Sequence, residues 1–353
     1  MPLNIGEPVP WFTAPTPSNP EFKFDTVAGR YIVLGFLPVN DPAAAITAVA
    51  TVARNQARFD DEKVSAFFIT RDPETARTAR DLRGVRWFLD LDGGLSRRFG
   101  ALDADGAEHP HWLLLDPTLR VLDHVALSDA QALLDTLSRL GTPSDHAGVA
   151  LHAPVLTVPR VFEPELCERL IARLDADGGR FTGVMRDDGE RTVMVMDELK
   201  KRRDALVEDP DLKALLFDRM QRRLFPMIER GLGFKVTRIE RYLIACYDVA
   251  DGGVFHPHRD STTQGTAHRK FACSINLNAD FEGGDLRFPE FGAKTYRPPP
   301  GGAVVFSCTL LHEATRVRRG RRYAFLPFFY DEAGQTVRDA YHARVGQPAE
   351  ASA

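Results

Sequence analysis

Continuous apolar runs alternate with amphipathic segments along the first part of the chain. Residues 31–37 (YIVLGFL) and 64–70 are apolar throughout, which is typical of strands buried on both faces. Apolar periodicity and capping residues predict further strands at 111–116 and 121–127, and helices at 43–59, 73–83 and 128–140. This order predicts an α/β domain, an open sheet between helices.

The pattern changes near residue 141. The next segment is rich in Gly, Pro, Ser and Ala and lacks helical periodicity, which indicates a linker. Helices are predicted at 163–174 and 211–230, the second interrupted by Pro226, and many short strands follow from residue 236, as in a sandwich or barrel. We predict four parts: a first domain at 1–141, a linker at 142–158, a second domain at 159–340 and a tail at 341–353.

Composition narrows the class of protein. The net charge of −4 over 353 residues argues against a dedicated nucleic-acid binder or a binder of anionic membranes. The N-terminus has no signal-peptide pattern, and no apolar stretch is long enough to span a bilayer. We expect a cytoplasmic protein with reduced thiols, because no pair forms a CxxC motif among its cysteines, Cys167, Cys246, Cys273 and Cys308.

Two histidines and one aspartate are candidate metal ligands. His258 and Asp260 are two residues apart, so on a strand both side chains point to one face. His312 ends the apolar run GGAVVFSCTLLH, and a double-stranded β-helix would return it to the pair. Such a ligand set suits Fe(II) and leaves three coordination positions free. The competing interpretation is three unrelated polar residues, since isolated His-x-Asp triplets are common. We predict that His258, Asp260 and His312 are metal ligands. We expect His256 to line the site entrance or to be solvated, and His268, in a polar loop, to be solvated.

Arg322 follows His312 by ten residues. Strand alternation turns only one of Arg321 and Arg322 inward, and a guanidinium holds a carboxylate through two parallel hydrogen bonds. We predict that Arg322 binds the C5 carboxylate of 2-oxoglutarate; an ordinary surface arginine is the alternative. Tyr247 and Asn276 are candidates for further hydrogen bonds to this cosubstrate, against purely structural roles.

Four segments, ACYDVADGGVFHPHRD, FACSINLN, EGGDLRFPE and LLHEATRVRRGRRYAF, resemble the 2-oxoglutarate- and Fe(II)-dependent oxygenases of the prolyl-hydroxylase group. The resemblance covers about residues 154–331. It implies a jelly-roll, cupin-like double-stranded β-helix with flanking helices, iron on the triad, and 2-oxoglutarate on Arg322 with help from Tyr247 and Asn276. A tyrosine often occupies the position of Asn276 in hypoxia-type members. The resemblance also implies an association with ascorbate, which re-reduces iron.

The opening segment, GEPVPWFTAPTPSNPEFKFDTVAGRYIVLGFLP, is similar to peroxiredoxins, which have a thioredoxin-like fold. Those enzymes carry a peroxidatic cysteine shortly after the Phe-x-Pro segment, where this chain has Ala44 and Ala45. No cysteine precedes Cys167, so we predict a non-catalytic first domain. It would dock a partner, cover the oxygenase pocket or support a homodimer.

The expected activity is hydroxylation of a C–H bond in a peptidyl (prolyl-like) or small-molecule substrate, using O2 and converting 2-oxoglutarate to succinate and CO2. Two alternatives are a thiol-dependent peroxidase with a vestigial iron site, opposed by the missing cysteine, and a binding protein with such a site, opposed by the intact triad. A nucleic-acid demethylase has support only from the basic run at 316–322.

Overall fold

The computed structural model describes residues 3–346 and separates into two compact units. The N-terminal unit comprises Met1–His152 together with Pro289–Ala293, and the C-terminal unit comprises Ala153–Phe288 and Lys294–Ala353. The division after His152 falls within the segment predicted as a linker. Of the predicted tail, residues 341–345 continue a helix, and 347–353 lie outside the described residues. Within the described residues, no helix is long and apolar enough to cross a membrane.

The N-terminal unit is an α/β arrangement. Its elements are β1 (Thr13–Ala14), β2 (Phe22–Lys23), β3 (Tyr31–Phe36), α1 (Pro42–Arg54), β4 (Val64–Thr70), α2 (Pro73–Thr78), β5 (Val85–Leu89), α3 (Gly94–Arg98), β6 (His111–Leu115), β7 (Val121–Ala126) and α4 (Ala130–Arg139).

One sheet organises this unit, in the order β5-β4-β3-β6-β7. Strands β3, β4 and β5 are parallel, whereas β6 and β7 are antiparallel. Every residue of β3 and β4 is buried, as their apolar sequences require. Buried side chains of α1 and α4 share one core with this sheet. The predicted strands match the structure within a residue or two, but β1, β2, β5 and α3 were not predicted. The helix predicted at 43–59 ends at Arg54, and α2 ends at Thr78 instead of continuing to residue 83.

The C-terminal unit is built mainly from strands. Its elements are β8 (Leu156–Val158), α5 (Pro164–Asp177), β9 (Arg180–Phe181), β10 (Val184–Asp188), β11 (Arg191–Val195), β12 (Lys200–Lys201), β13 (Arg203–Leu206), α6 (Pro210–Arg223), α7 (Phe225–Leu232), β14 (Arg238–Ile239), β15 (Leu243–Asp248), β16 (Val254–His258), β17 (Phe271–Asn276), β18 (Glu282–Gly283), β19 (Leu286–Arg287), β20 (Thr295–Tyr296), β21 (Ala303–Ser307), β22 (His312–Ala314), β23 (Val317–Arg319), β24 (Arg321–Phe325), β25 (Phe328–Tyr330) and α8 (Glu332–Val345).

Eight of these strands form a jelly roll. In one sheet β15 pairs with β24, β24 with β17, and β17 with β21. In the other, β16 pairs with β22, β22 with β19, and β19 with β20. Numbered by chain order, the sheets read 1-8-3-6 and 2-7-4-5, the double-sheet topology of a double-stranded β-helix. The strand order of the two sheets therefore matches the jelly roll expected for this unit.

Helices cover one face of the larger sheet. Buried apolar residues of α5, α6 and α7 pack in one core with outward-facing residues of β15, β17, β21 and β24. Strand alternation then turns the intervening side chains, among them Tyr247, Ser274 and Arg322, to the opposite face. The predicted helix at 211–230 is two helices, because the chain breaks at Leu224 before Pro226. Helix α8 was not predicted.

Candidate metal centre

Strand pairing brings the two predicted histidine ligands together. Strands β16 and β22 are antiparallel, and His258 lies directly opposite His312 in their register. Asp260 follows β16, and its backbone N–H donates to the Cys308 carbonyl oxygen at 2.9 Å. One nitrogen of each histidine and one carboxylate oxygen of Asp260 all lie within 4.8 Å of one another. The side chains that are far apart in the sequence thus converge on one point.

Both imidazoles are oriented by backbone carbonyl groups. Nδ1 of His258 donates to the His256 carbonyl oxygen at 2.7 Å, and Nδ1 of His312 donates to the Leu310 carbonyl oxygen at 3.0 Å. Because a carbonyl oxygen only accepts, Nδ1 of each ring carries a proton, and Nε2 is the ring nitrogen that faces Asp260. The Nε2 atoms lie 3.7 Å (His258) and 3.2 Å (His312) from the carboxylate oxygens of Asp260.

The electrostatic state of the triad suits a cation. Burial lowers the pKa of His258 to about 3, so this ring is neutral at physiological pH. Burial opposes the charge on Asp260, yet the adjacent His312 and His258 outweigh it and hold the pKa of Asp260 below its ordinary value. Two imidazole nitrogens and a carboxylate therefore face one another, an arrangement that a divalent cation stabilises. Imidazole and carboxylate donors on one face fit Fe(II) with open positions.

Aromatic rings fix the positions of the histidines. The Phe255 ring stacks on His258 with centroids 3.5 Å apart and planes 17° apart. Phe306 contacts His312 with a centroid distance of 4.6 Å. These rings restrict imidazole rotation, so that the ligand atoms are held in place before any metal arrives.

A cavity that is partly open to solvent adjoins the triad. Arg322 lines it and is 2% exposed. Its Nε donates to the side-chain oxygen of Asn276 at 3.2 Å and its Nη2 donates to Ser274 Oγ at 2.7 Å. Among residues 3–346 the structure records no acidic side chain within ion-pair distance of Arg322, and burial lowers the pKa of Arg322. A buried guanidinium of this kind is stabilised by an incoming carboxylate.

Close packing holds Arg322 in place. Its guanidinium lies 5.4 Å from the centroid of the Tyr247 ring, and the two residues are opposite each other in the β15–β24 register. Gly284 has φ +68°, and a Cβ at this position would lie 3.2 Å from Arg322 Cδ. The adjacent Arg321 points outward instead, where its Nε lies 2.8 Å from Asp248. The inward orientation predicted for Arg322 is therefore the one observed.

Tyr247 and Asn276 differ in their relation to the cavity. Tyr247 is among the lining residues. Asn276 is not, because its amide is occupied on both sides: Nδ2 donates to the Pro298 carbonyl oxygen at 3.0 Å and Oδ1 accepts from Arg322. The structure therefore places Asn276 behind the arginine, where it orients the guanidinium.

Basic residues at the cavity were missed by the sequence analysis. Arg202 is buried, forms a two-point ion pair with Asp204 at 2.6 and 2.8 Å, and donates to the Tyr247 hydroxyl at 3.4 Å. Lys200 is buried beside the same carboxylate. The Arg-x-Asp alternation within 200–204 was an available signal, since residues two apart share a strand face. Arg241, between β14 and β15, also lines the cavity.

The expectation for His268 was wrong. This residue is 3% exposed and its Nε2 lies 3.0 Å from Glu240, which also forms a two-point ion pair with Arg269, with both distances 2.6 Å. Arg269 Nη1 donates to the Asp260 backbone carbonyl at 3.3 Å. Residues of a polar loop sequence therefore form a buried network of hydrogen bonds and ion pairs beside the triad. His256 acts through its backbone carbonyl, as described above, and is not among the cavity-lining residues.

Comparison with known proteins gives a family for this region. Residues 242–330, which include the triad and Arg322, match the family model described as the 2OG-Fe(II) oxygenase superfamily. The chain is 28% identical over 108 residues to a PKHD-type hydroxylase of Synechococcus sp. (strain JA-2-3B'a(2-13)). That alignment covers 28% of this chain and 47% of the relative, so the chain spans about half the length of the curated relative it matches.

Two solved structures show distant similarity. One is a prolyl hydroxylase in complex with a hypoxia inducible factor oxygen degradation domain peptide fragment from Trichoplax adhaerens, with TM-score 0.41 and 16% identity over 52% of this chain and 86% of that chain. The other is AhpC of Mycobacterium tuberculosis, with TM-score 0.34 and 19% identity over 39% of this chain and 93% of that chain.

The family match falls on the jelly-roll strands that carry the converging His258, Asp260 and His312. The similarity to the 2OG-Fe(II) oxygenase superfamily therefore lies in the C-terminal unit, on the residues that form the candidate metal centre.

Proposed function

We propose that the protein hydroxylates a C–H bond of a peptidyl (prolyl-like) or small-molecule substrate. In this reaction one atom of O2 enters the C–H bond and the other enters succinate, as 2-oxoglutarate loses CO2. One observation carries the proposal: three metal-binding side chains converge in a cavity that also holds Arg322, a buried cation with no acidic partner among the described residues.

Each residue has a defined part in this proposal. His258, Asp260 and His312 would hold Fe(II), which together with 2-oxoglutarate and O2 supplies the oxidising chemistry when bound. Arg322 would bind the C5 carboxylate of 2-oxoglutarate, while Tyr247 packs against the guanidinium and Asn276 orients it. Aromatic side chains around the histidines would exclude water from the reacting atoms. Ascorbate as a reductant of the iron remains a prediction.

A thiol-dependent peroxidase is not supported by the cysteines. All four are buried, and burial raises the pKa of Cys167 to about 11 and that of Cys246 to about 12. Such thiols are protonated at neutral pH and are poor nucleophiles. Ala44 and Ala45 occupy the first turn of α1, where a peroxiredoxin carries its reactive thiol. We infer that the N-terminal unit is a peroxiredoxin-like, non-catalytic module that docks a partner or supports a homodimer.

Succinate formation tests the proposal. The wild-type protein, purified anaerobically and given Fe(II), 2-oxoglutarate and air, should form succinate, with ascorbate extending its turnover. His258→Ala, Asp260→Ala and His312→Ala should lose both iron binding and succinate formation. His109→Ala is the matched control, because His109 is an exposed histidine of the N-terminal unit. If His312→Ala retained iron and full succinate formation, the ligand assignment would be wrong.

A further inference from the structure

Arg241, another arginine that lines the cavity, has no acidic partner among the described residues. Its Nε is buried and makes no hydrogen bond, and among residues 3–346 the structure records neither a hydrogen bond nor an ion pair for this side chain. Its contact is a cation–π interaction, with the guanidinium 4.5 Å from the centroid of the Phe328 ring. A ring face does not replace the hydrogen bonds that five N–H donors require.

The nearby carboxylates already have cationic partners. Glu240, the preceding residue, pairs with Arg269 and His268. Asp204 pairs with Arg202 and lies beside Lys200. Arg241 therefore carries a positive charge that neither carboxylate neutralises. Burial and the adjacent Arg269 lower its pKa to about 10, so the guanidinium still remains charged at neutral pH.

The cavity thus contains two arginines without acidic partners among the described residues, whereas 2-oxoglutarate supplies a carboxylate for only one of them. Arg322 and Arg241 both line it, and neither has an acidic partner among the described residues. One 2-oxoglutarate, with its C1 carboxylate directed to the metal and its C5 carboxylate on Arg322, leaves Arg241 without an anion. Arg241 is half-buried, and its Nε is shielded from water without a hydrogen-bond partner, so a guanidinium in this position within a binding cavity points to an anionic ligand.

We propose that Arg241 binds a carboxylate of the primary substrate, and that the enzyme acts on an acidic compound. This inference rests on the proposed function and narrows it. The carboxylate could belong to a free small molecule or to an acidic side chain of a peptide. In both cases Arg241 sets the orientation of the substrate relative to the triad, because a guanidinium that holds a carboxylate at two points fixes its direction. A neutral substrate would leave the Arg241 guanidinium without an anion.

The test uses protein loaded with Mn(II) and N-oxalylglycine, an unreactive analogue of 2-oxoglutarate that occupies the metal and Arg322. One arm compares N-acetyl-proline with its amide. The other compares a capped Glu-Pro peptide with the Gln-Pro peptide. Dissociation constants are measured by calorimetry for wild type, Arg241→Gln and Arg238→Gln. Arg238 is a matched control, since it is three residues away and pairs with Glu332 at the surface.

In at least one arm, wild type and Arg238→Gln should bind the carboxylate-bearing ligand about tenfold or more tightly than its neutral counterpart. This is the effect expected of a charge-assisted hydrogen bond. Arg241→Gln should abolish this preference, and the arm that shows it identifies the source of the carboxylate. The inference is refuted if neither arm shows a preference in wild type, or if the preference survives in Arg241→Gln. Mn(II) and 2-oxoglutarate binding are measured first: their absence would refute the proposed function itself, whereas normal binding without a carboxylate preference would refute the role of Arg241 alone.

Discussion

Replacing Arg322 with Gln should greatly weaken the binding of 2-oxoglutarate while changing the stability of the fold very little. The substitution removes a buried cation that has no acidic partner among the described residues and shortens a side chain that donates to Ser274 and Asn276. In the absence of ligand, loss of two neutral-acceptor hydrogen bonds, each about 1 kcal/mol, is offset by removing the desolvation cost of the charge. We therefore expect the free energy of unfolding to change by about 1 kcal/mol or less.

The effect on 2-oxoglutarate should be much larger. A hydrogen bond to a charged group contributes roughly 1.5–3 kcal/mol, which corresponds to an affinity loss of about 10- to 150-fold. The thermal stabilisation that 2-oxoglutarate gives to metal-loaded protein should fall accordingly, because ligand stabilisation depends on the ratio of ligand concentration to dissociation constant.

Calorimetric titration of 2-oxoglutarate into Mn(II)-loaded protein measures the affinity, and urea unfolding measures the stability. Arg321→Gln is the matched control, because Arg321 is the adjacent arginine, is 57% exposed and pairs with Asp248. It should bind 2-oxoglutarate within about twofold of wild type, as expected for loss of an exposed pair. An affinity loss below about threefold in Arg322→Gln, or an equal loss in both variants, would contradict the assignment of the carboxylate to Arg322.

Three further predictions concern buried charge and thiols in the C-terminal unit. Glu240→Gln leaves Arg269 buried without its counterion and should lower the free energy of unfolding by about 3–5 kcal/mol in urea titrations; a loss under about 1 kcal/mol would contradict this. Burial lowers the pKa of Lys200 to about 7 from an ordinary 10.5, so the unfolded chain binds more protons between these values and stability should rise as pH increases from 7 to 10.5. Lys200→Met should remove that rise, and an unchanged pH profile in this variant would refute the assignment. Because the thiols are buried, native protein should react slowly with a thiol reagent and rapidly only after denaturation; a rapid reaction in the native state would count against a reduced, inert set of cysteines.

The sequence by itself determined those features that depend on local spacing. Residues two apart on a strand share a face, so His258 and Asp260 could be paired without knowledge of the fold. The same alternation distinguished Arg322 from Arg321, and the structure turns Arg322 inward and Arg321 outward. Continuous apolar runs predicted β3 and β4, because a strand that is buried on both faces has no polar positions.

Tertiary structure alone decided which distant residues meet. The register that sets His258 opposite His312 depends on pairing between β16 and β22, and no local pattern encodes it. His268 lies in a polar loop yet is buried, because Glu240 supplies its partner. Whether a buried charge is neutralised depends on neighbours far away in the chain. Only the folded protein therefore shows that Arg202 has a carboxylate partner, whereas Arg241 has none among the described residues.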